Sequence, residues 1–541
     1  MSDRMRRNVT LVCAAVLLAA ASPVAAQTVG APPQEALNSI TVEELMGMLK
    51  FYSSDWMQGR ATGEPGYDMA TDYLAASLAA SGVRPALPGG YFQEIDMVKY
   101  GLSEDFGFSL MRGGSSMGTF EGGTHFNLSS GYADWKLEGD LVFAGYGISA
   151  PDNGWDDYAG LDVAGKVVVA VDLYPGFGQE QTPFGTPQEA SRAVRGRTAT
   201  AQEKGALGLI IVPNPLAPER TRIRSLEQMM TVSRRPELLE RVSQETYPVI
   251  TVNGEVASRI FAEGELQRVV DRMQSSGRSQ RLNLTGLTVR AHASMNRVPV
   301  PTRNVLAMVE GTDLKDEYVV LGAHADHTGM RGDEVMNGAD DDGSGSVLLL
   351  ELAEAFTNAG QRPRRTVIFG WWCGEEIGLL GAWHYTRHPI GSLEKTVGLI
   401  QMDMVGRNEE YDPRKSRGLP EETAEQNANA VNCIGYSYSS DMQALISRAN
   451  EPVGLEVKFR YDAGTQNLLR RSDHWNFLQM GVPVAFLFTG IHPDYHEPTD
   501  TWDKINYPKM ARIGQMAFRA AWELANTDNP PKLNPGVDIG R

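Results

Sequence analysis

The sequence predicts an α/β protein built on a mostly parallel sheet, with a second, β-rich domain beside it. Three observations carry that expectation. Apolar runs of strand length recur between residues 318 and 400: Tyr318-Val319-Val320-Leu321, Thr366-Val367-Ile368-Phe369 and Val397-Gly398-Leu399-Ile400. Runs without alternation suit strands covered on both faces. A helix-forming apolar stretch, residues 347–356, separates the first two runs, giving the strand, helix, strand pattern of a parallel sheet. The chain, at 541 residues, is too long for one core.

Taken in order, residues 1–26 read as a cleavable signal peptide. Arg4, Arg6 and Arg7 form the basic start, residues 11–21 the apolar centre, and Val24-Ala25-Ala26 the small-residue cleavage site. The apolar centre is too short to span a bilayer, so the mature chain is expected to be periplasmic or secreted. Residues 27–40 are Pro/Ala-rich and expected to be loose. Residues 38–136 form the first part of the main domain, with helices over 42–52, capped by Thr41, and 68–81, and a strand over 91–98. The Gly-rich loop at 59–66 lacks the Gly-Lys-Ser/Thr ending of a phosphate cradle.

Between 137 and 290 the character changes. Short apolar runs at 141–144, 166–171, 209–212 and 248–252 read as strands, with a helix over 189–204 weakened at Gly196. No histidine occurs between Phe126 and Arg290, so Asp156-Asp157 has no neighbouring imidazole with which to build a metal site. The main domain resumes over 291–527. It holds a strand at 304–309, the central stretch, a polar loop at 407–430, a helix at 441–449, a buried strand at 482–488 and a closing helix at 509–525. Residues 528–541 are expected to form a flexible tail.

A formal net charge of −17 excludes nucleic acid and anionic membrane as natural partners. The two cysteines left after leader removal, Cys373 and Cys433, are expected to be separate buried thiols. The sequence sets no oligomeric state.

The chemistry gathers at strand ends. His324 closes the first run, Asp341 sits in Gly338-Ala339-Asp340-Asp341-Asp342-Gly343-Ser344-Gly345, Glu375-Glu376 follows the second run, and Asp403 follows the third. His496 lies in the loop after the last strand. Such sheets present functional groups at the carboxyl ends of their strands. Two imidazoles and three carboxylates, one of them bridging, give three ligands to each of two metals. Glu376 is expected to ligate. Glu375, pointing elsewhere, is expected to be the general base. Asp326 is expected to meet the second ring nitrogen of His324, and His327 to pack behind the ligands. Ser344 lacks a nucleophile-elbow context, and Cys373 adjoins acids that blunt a thiolate.

Gly322-Ala323-His324-Ala325-Asp326, Gly338 to Gly345, Cys373-Gly374-Glu375-Glu376-Ile377-Gly378-Leu379-Leu380-Gly381 and Met402-Asp403-Met404-Val405-Gly406 together resemble metallopeptidase family 28. Ser472-Asp473-His474, Tyr495-His496 and Ser53 to Arg60 extend the resemblance. It implies a three-layer α/β/α sandwich around a mixed sheet and a peptidase with two Zn2+ ions acting on peptide substrates. It implies Asp341 as the bridge, His324 and Asp403 at one zinc, and Glu376 and His496 at the other. It also implies a cis peptide between Asp341 and Asp342, and Asp473 and His474 near the substrate pocket. Residues 137–290 resemble an inserted protease-associated domain through Gly165 to Val169 and Lys204 to Gly208. An aminopeptidase is the first expectation. A carboxypeptidase or dipeptidase using Arg407, Arg470 or Arg471, a silent binding protein, and a single-zinc glutaminyl cyclase remain as alternatives.

Overall fold

The computed structural model describes residues 30–128, 133–233, 235–242 and 246–539. The leader read over residues 1–26 lies outside them. Among the described residues no helix is long and apolar enough to cross a membrane.

Two nine-stranded sheets organise the chain. In the first, Arg365–Trp372, Leu314–His324, Thr396–Met402 and Val484–Phe488 lie side by side and parallel. Antiparallel Thr302–Val309 and Ala430–Ile434 flank them. Each central strand carries an apolar stretch because both its faces are covered there. Successive side chains point to opposite faces, so Val319, Leu321, Val367, Phe369 and Ile400 join one core. Val320, Ile368 and Leu399 join another. The first core is closed by Gly345–Thr357 and Tyr507–Asn526, where Phe356 meets Phe518 at 4.5 Å between ring centroids. The second is closed by Leu380–Arg387 and His474–Gln479, where Trp372 packs on Tyr385 and Phe477. This is the expected three-layer α/β/α arrangement.

The second sheet is wider than residues 137–290. Its long strands Met97–Arg112 and Leu287–Pro299 pair from Arg112↔Leu287 to Val98↔Pro299. The inserted unit therefore starts near residue 97, and its last strand runs to Pro299. Residues 97–128, expected in the main domain, hydrogen-bond into this sheet instead. The unit is also less purely β than expected. Trp135–Phe143, Val167–Val171, Gly208–Val212 and Val249–Val252 run parallel, and the helices Gly254–Ile260 and Glu265–Ser276 bury Val256, Val269 and Val270. The helix expected over 189–204 is two helices, Pro187–Arg195 and Arg197–Glu203, meeting at Gly196.

Both ends of the described residues are docked where looseness was expected. Gln34–Asn38 is a short helix with Ala36 and Leu37 buried in the first core. In the tail, the Lys532 amide donates to Asp441 Oδ2 at 3.1 Å, Asn534 Oδ1 accepts from the Ser440 amide at 3.1 Å, and Leu533 and Ile539 pack on the second core. Cys373 and Cys433 are separate buried thiols.

Candidate metal centre

The parallel register brings His324 opposite Trp372, Gly322 opposite Gln401 and Met402 opposite Leu487. Residues just past these strands therefore gather at one edge of the sheet. His324 ends its strand, Glu375 and Glu376 follow Trp372, Asp403 follows Met402, and His496 lies eight residues beyond Phe488.

Asp341 divides this edge. Its Oδ1 lies 3.2 Å from His324 Nε2, which is also 3.5 Å from Asp403 Oδ1. Its Oδ2 lies 3.0 Å from His496 Nε2, which is 3.1 Å from Glu376 Oε2. One carboxylate thus faces two donor clusters, one through each oxygen. His324, Asp341 and Asp403 form one cluster, and His327, Asp341, Glu376 and His496 the other. His324 Nε2, His327 Nδ1, Glu376 Oε1 and His496 Nε2 are buried without a hydrogen-bond partner. Buried polar atoms seldom stay unpaired, so this donor set suits divalent cations.

His327 departs from its expected role. Its Nδ1 is 2.7 Å from Glu376 Oε1 and 3.7 Å from Asp341 Oδ2, which is within the cluster rather than behind it. Asp326 departs too. Its backbone carbonyl, 3.0 Å from His324 Nδ1, fixes that ring, while its carboxylate stands 3.8 Å off and accepts the Glu375 amide at 3.1 Å. Asp326 therefore orients the general-base candidate as well as the ligand.

The acidic run is split three ways. Asp341 faces the clusters. Asp342 accepts the amides of His324 at 3.0 Å, Gly345 at 2.9 Å and Met404 at 3.2 Å. Asp340 Oδ1 accepts those of Gly406 at 2.6 Å and Arg407 at 3.0 Å. The amides of Asp340 and Asp341 in turn donate to Asp500. Backbone N–H groups from three loops therefore share out the like charges. The Asp341–Asp342 peptide is cis. Ser344 Oγ donates to the Asp340 carbonyl at 2.8 Å, a brace rather than a nucleophile.

Arg60 binds these loops together. It is fully buried, and its guanidinium donates only to carbonyls: Ala325 at 3.3 Å, Tyr52 at 3.1 Å, Asn337 at 2.7 Å, Gly338 at 2.8 Å and Asp341 at 3.4 Å. The preceding Gly59 has φ +67°, and a Cβ there would strike the carbonyls of Gly329 and Met336. Reading 59–66 only as a failed phosphate loop missed this brace. Arg60 after a glycine in the Ser53 to Arg60 phrase was the available signal.

Electrostatics separate the two neighbouring glutamates. Burial pushes Glu375 well above the usual carboxylate range, with Asp403, Glu376 and Asp473 adding against His324. Burial acts on Glu376 as well, but the imidazoles of His327 and His496 beside it bring it down to about 2. Adjacent carboxyls with opposed environments take different roles. Burial lifts Asp473 well above its ordinary value, with Asp326 and Asp403 adding against His324, and burial lowers His474 to about 3. Neither Asp473 nor His474 lines the cleft, and His474 stacks on Phe486 at 4.6 Å. The cleft over the clusters is walled by Met404, Leu468, Phe486, Phe488 and Ile491, with Arg471 and Tyr495 at its side.

Residues 304–521 match the profile of peptidase family M28. The chain carries an M28 peptidase domain. That domain contains every ligand candidate above. Among similar proteins are a probable zinc metalloprotease of Pyricularia oryzae, 29% identical over 282 residues, and a probable leucine aminopeptidase of Arthroderma otae, 27% identical over 231 residues. The alignments cover 46% and 41% of this chain and 55% and 57% of those relatives, so the chain spans about half the length of the curated relatives it matches. Among solved structures, an aminopeptidase from Aneurinibacillus sp. strain AM-1 aligns over 93% of this chain and 98% of its own, with 18% identity and a TM-score of 0.48.

Proposed function

We propose that this protein is an exported two-zinc exopeptidase that removes N-terminal residues from peptides. The observation that carries this is Asp341, whose two oxygens face separate donor clusters. His324, Asp341 and Asp403 would hold one zinc. Asp341, Glu376 and His496 would hold the other. The relatives named as a zinc metalloprotease and a leucine aminopeptidase support the choice of metal and reaction.

Zinc bound there supplies Lewis acidity toward a carbonyl oxygen and lowers the pKa of water. Glu375, oriented by Asp326, takes a proton from the attacking water and delivers it to the departing amine nitrogen. The apolar wall from Met404 to Ile491 receives the first side chain of the substrate and keeps bulk water from the scissile bond. The leader at residues 1–26 directs export and leaves Gln27 as the first mature residue.

Arg471 favours a second reading, trimming from the carboxyl end. It lines the cleft, whereas Arg407 is paired with Asp494 at 2.9 Å and Arg470 lies over Trp475. A panel of aminoacyl reporters and N-blocked peptides, run with and without chelator, decides between the two. Fast chelator-sensitive release from leucyl and phenylalanyl reporters, with N-blocked peptides inert, is the expected outcome. Cleavage of N-blocked peptides at the carboxyl end, lost in Arg471→Ala, would establish the second reading.

A further inference from the structure

Away from the cleft, three ligand-type side chains meet where the inserted unit touches the M28 domain. His384 and His388 stand one helical turn apart at the end of Leu380–Arg387, and Glu240 reaches them from the turn Leu239–Val242 of the inserted unit. One ligand atom from each lies within 4.8 Å of the others. We propose that Glu240, His384 and His388 form a separate binding site for a borderline transition-metal ion such as Zn2+, clamping the inserted unit to the helix that follows the Glu375-Glu376 pair.

Several features prepare these groups for a cation. Histidines at i and i+4 project from the same helical face, and here the rings stack with centroids 4.3 Å apart. His388 Nδ1 lies 3.2 Å from the His384 carbonyl. A ring that donates Nδ1–H to a carbonyl leaves Nε2 as a fixed lone pair, the usual arrangement of a metal-bound imidazole. His384 is half-buried. The Glu240 turn is held in place from the other side. The Leu239 amide donates to the Asp96 carbonyl at 3.0 Å, Glu237–Leu238 pairs with Met97 and Val98, and Leu238 is buried in the M28 core. Two imidazoles and one carboxylate match zinc in donor type and leave a fourth position for water. Asp96 adds negative charge near His384, while Arg387, which feels both Glu240 and Arg241, competes for the Glu240 carboxylate. The clamp is therefore expected to bind more weakly than the catalytic centre.

The test is zinc stoichiometry and release, measured on the full chain by equilibrium dialysis against zinc alone and by competition with a chromogenic chelator. The native chain should bind one zinc more than His388→Ala, and this ion should be the first to leave. Glu240→Gln should weaken that ion by about 10-fold or more, in line with loss of one ligating contact. Peptidase turnover should stay the same in both variants. Zinc should also slow hydrogen exchange at residues 238–242 in the native chain but not in His388→Ala. His388 and Glu240 are exposed, so both variants should fold, and unchanged melting temperatures without zinc would verify it. Equal zinc counts and identical release curves for the native chain and both variants would overturn the proposal.

Discussion

The two sheets invite comparison because they share so much. Each has nine strands, and each contains four parallel neighbours. Each also presents polar residues just past those strands. In the inserted unit these residues are consumed locally. Asp172 accepts from the Leu173 amide at 2.8 Å, from Thr221 at 2.8 Å and from Arg197 at 3.3 Å. Asn214 closes a turn onto Leu216, and Asn253 caps the helix Gly254–Ile260. In the M28 domain His324 Nε2, Glu376 Oε1 and His496 Nε2 are left without hydrogen-bond partners, within the two clusters whose donor types suit a cation. Parallel topology supplies an edge. A site arises only where the side chains on that edge are denied partners of their own.

Substitutions on the two edges should therefore fail in different ways. The largest effect is expected from Glu375→Gln. It keeps the shape of the cleft and the ligand set but removes the proton acceptor, so kcat should fall by about 10²–10⁴-fold while metal content stays at the native value. Steady-state kinetics beside metal analysis check this, and full activity in the variant would end the assignment. His327→Ala should act more mildly. If Nδ1 ligates or supports the Glu376–His496 cluster, metal affinity there should drop by about 10–100-fold, with the His324–Asp403 cluster retaining its ion. Equal loss at both would contradict the division made by Asp341.

The smallest effect is expected on the other sheet, from Asp157→Asn. Asp157 is buried, takes the amides of Tyr146 and Ile148 at 3.0 Å each, and is pushed up to about 6 by burial despite those hydrogen bonds and one from Ser279. A carboxyl whose folded pKa exceeds its unfolded value contributes stability that is fully present below the unfolded pKa and lost as pH rises through the folded one. Native stability should thus lose a contribution between about pH 4 and 6, and Asp157→Asn should remove that slope. Urea melts across this range report it, and peptidase activity at neutral pH should not change. A loss of turnover in Asp157→Asn would mean that the inserted sheet takes part in the chemistry.

Much of this was legible in the sequence because strong local signals agreed with the global fold. The unalternating runs at 318–321, 366–369 and 397–400 gave strands buried on both faces. His324, Glu375, Glu376 and Asp403 sit at or just after the ends of such runs, so knowing the strands places those four, while Asp341 and His496 sit in loops further on. Legibility failed where long-range pairing decided the outcome. Met97–Arg112 is Gly- and Ser-interrupted and half-exposed, and only its ladder with Leu287–Pro299 makes it a strand of the inserted unit. His327 is adjacent to Asp326 in sequence, and nothing local announces that its ring turns toward Glu376. The docking of the tail depends on Asp441 and Ser440, almost a hundred residues earlier.

Arg60 ties the earliest part of the domain to the last pieces of its centre. Its planar guanidinium presents a rigid fork of donors, and the chain must wait during synthesis for the carbonyls that fill it. The residues flanking Arg60 leave the ribosome long before Asn337, Gly338 and Asp341 exist, and the loop that presents Asp341 gains its anchor only when it folds back across 281 positions. A shortened chain beginning after residue 60 would keep every metal-binding side chain named above and still lack the peg on which their loops are hung.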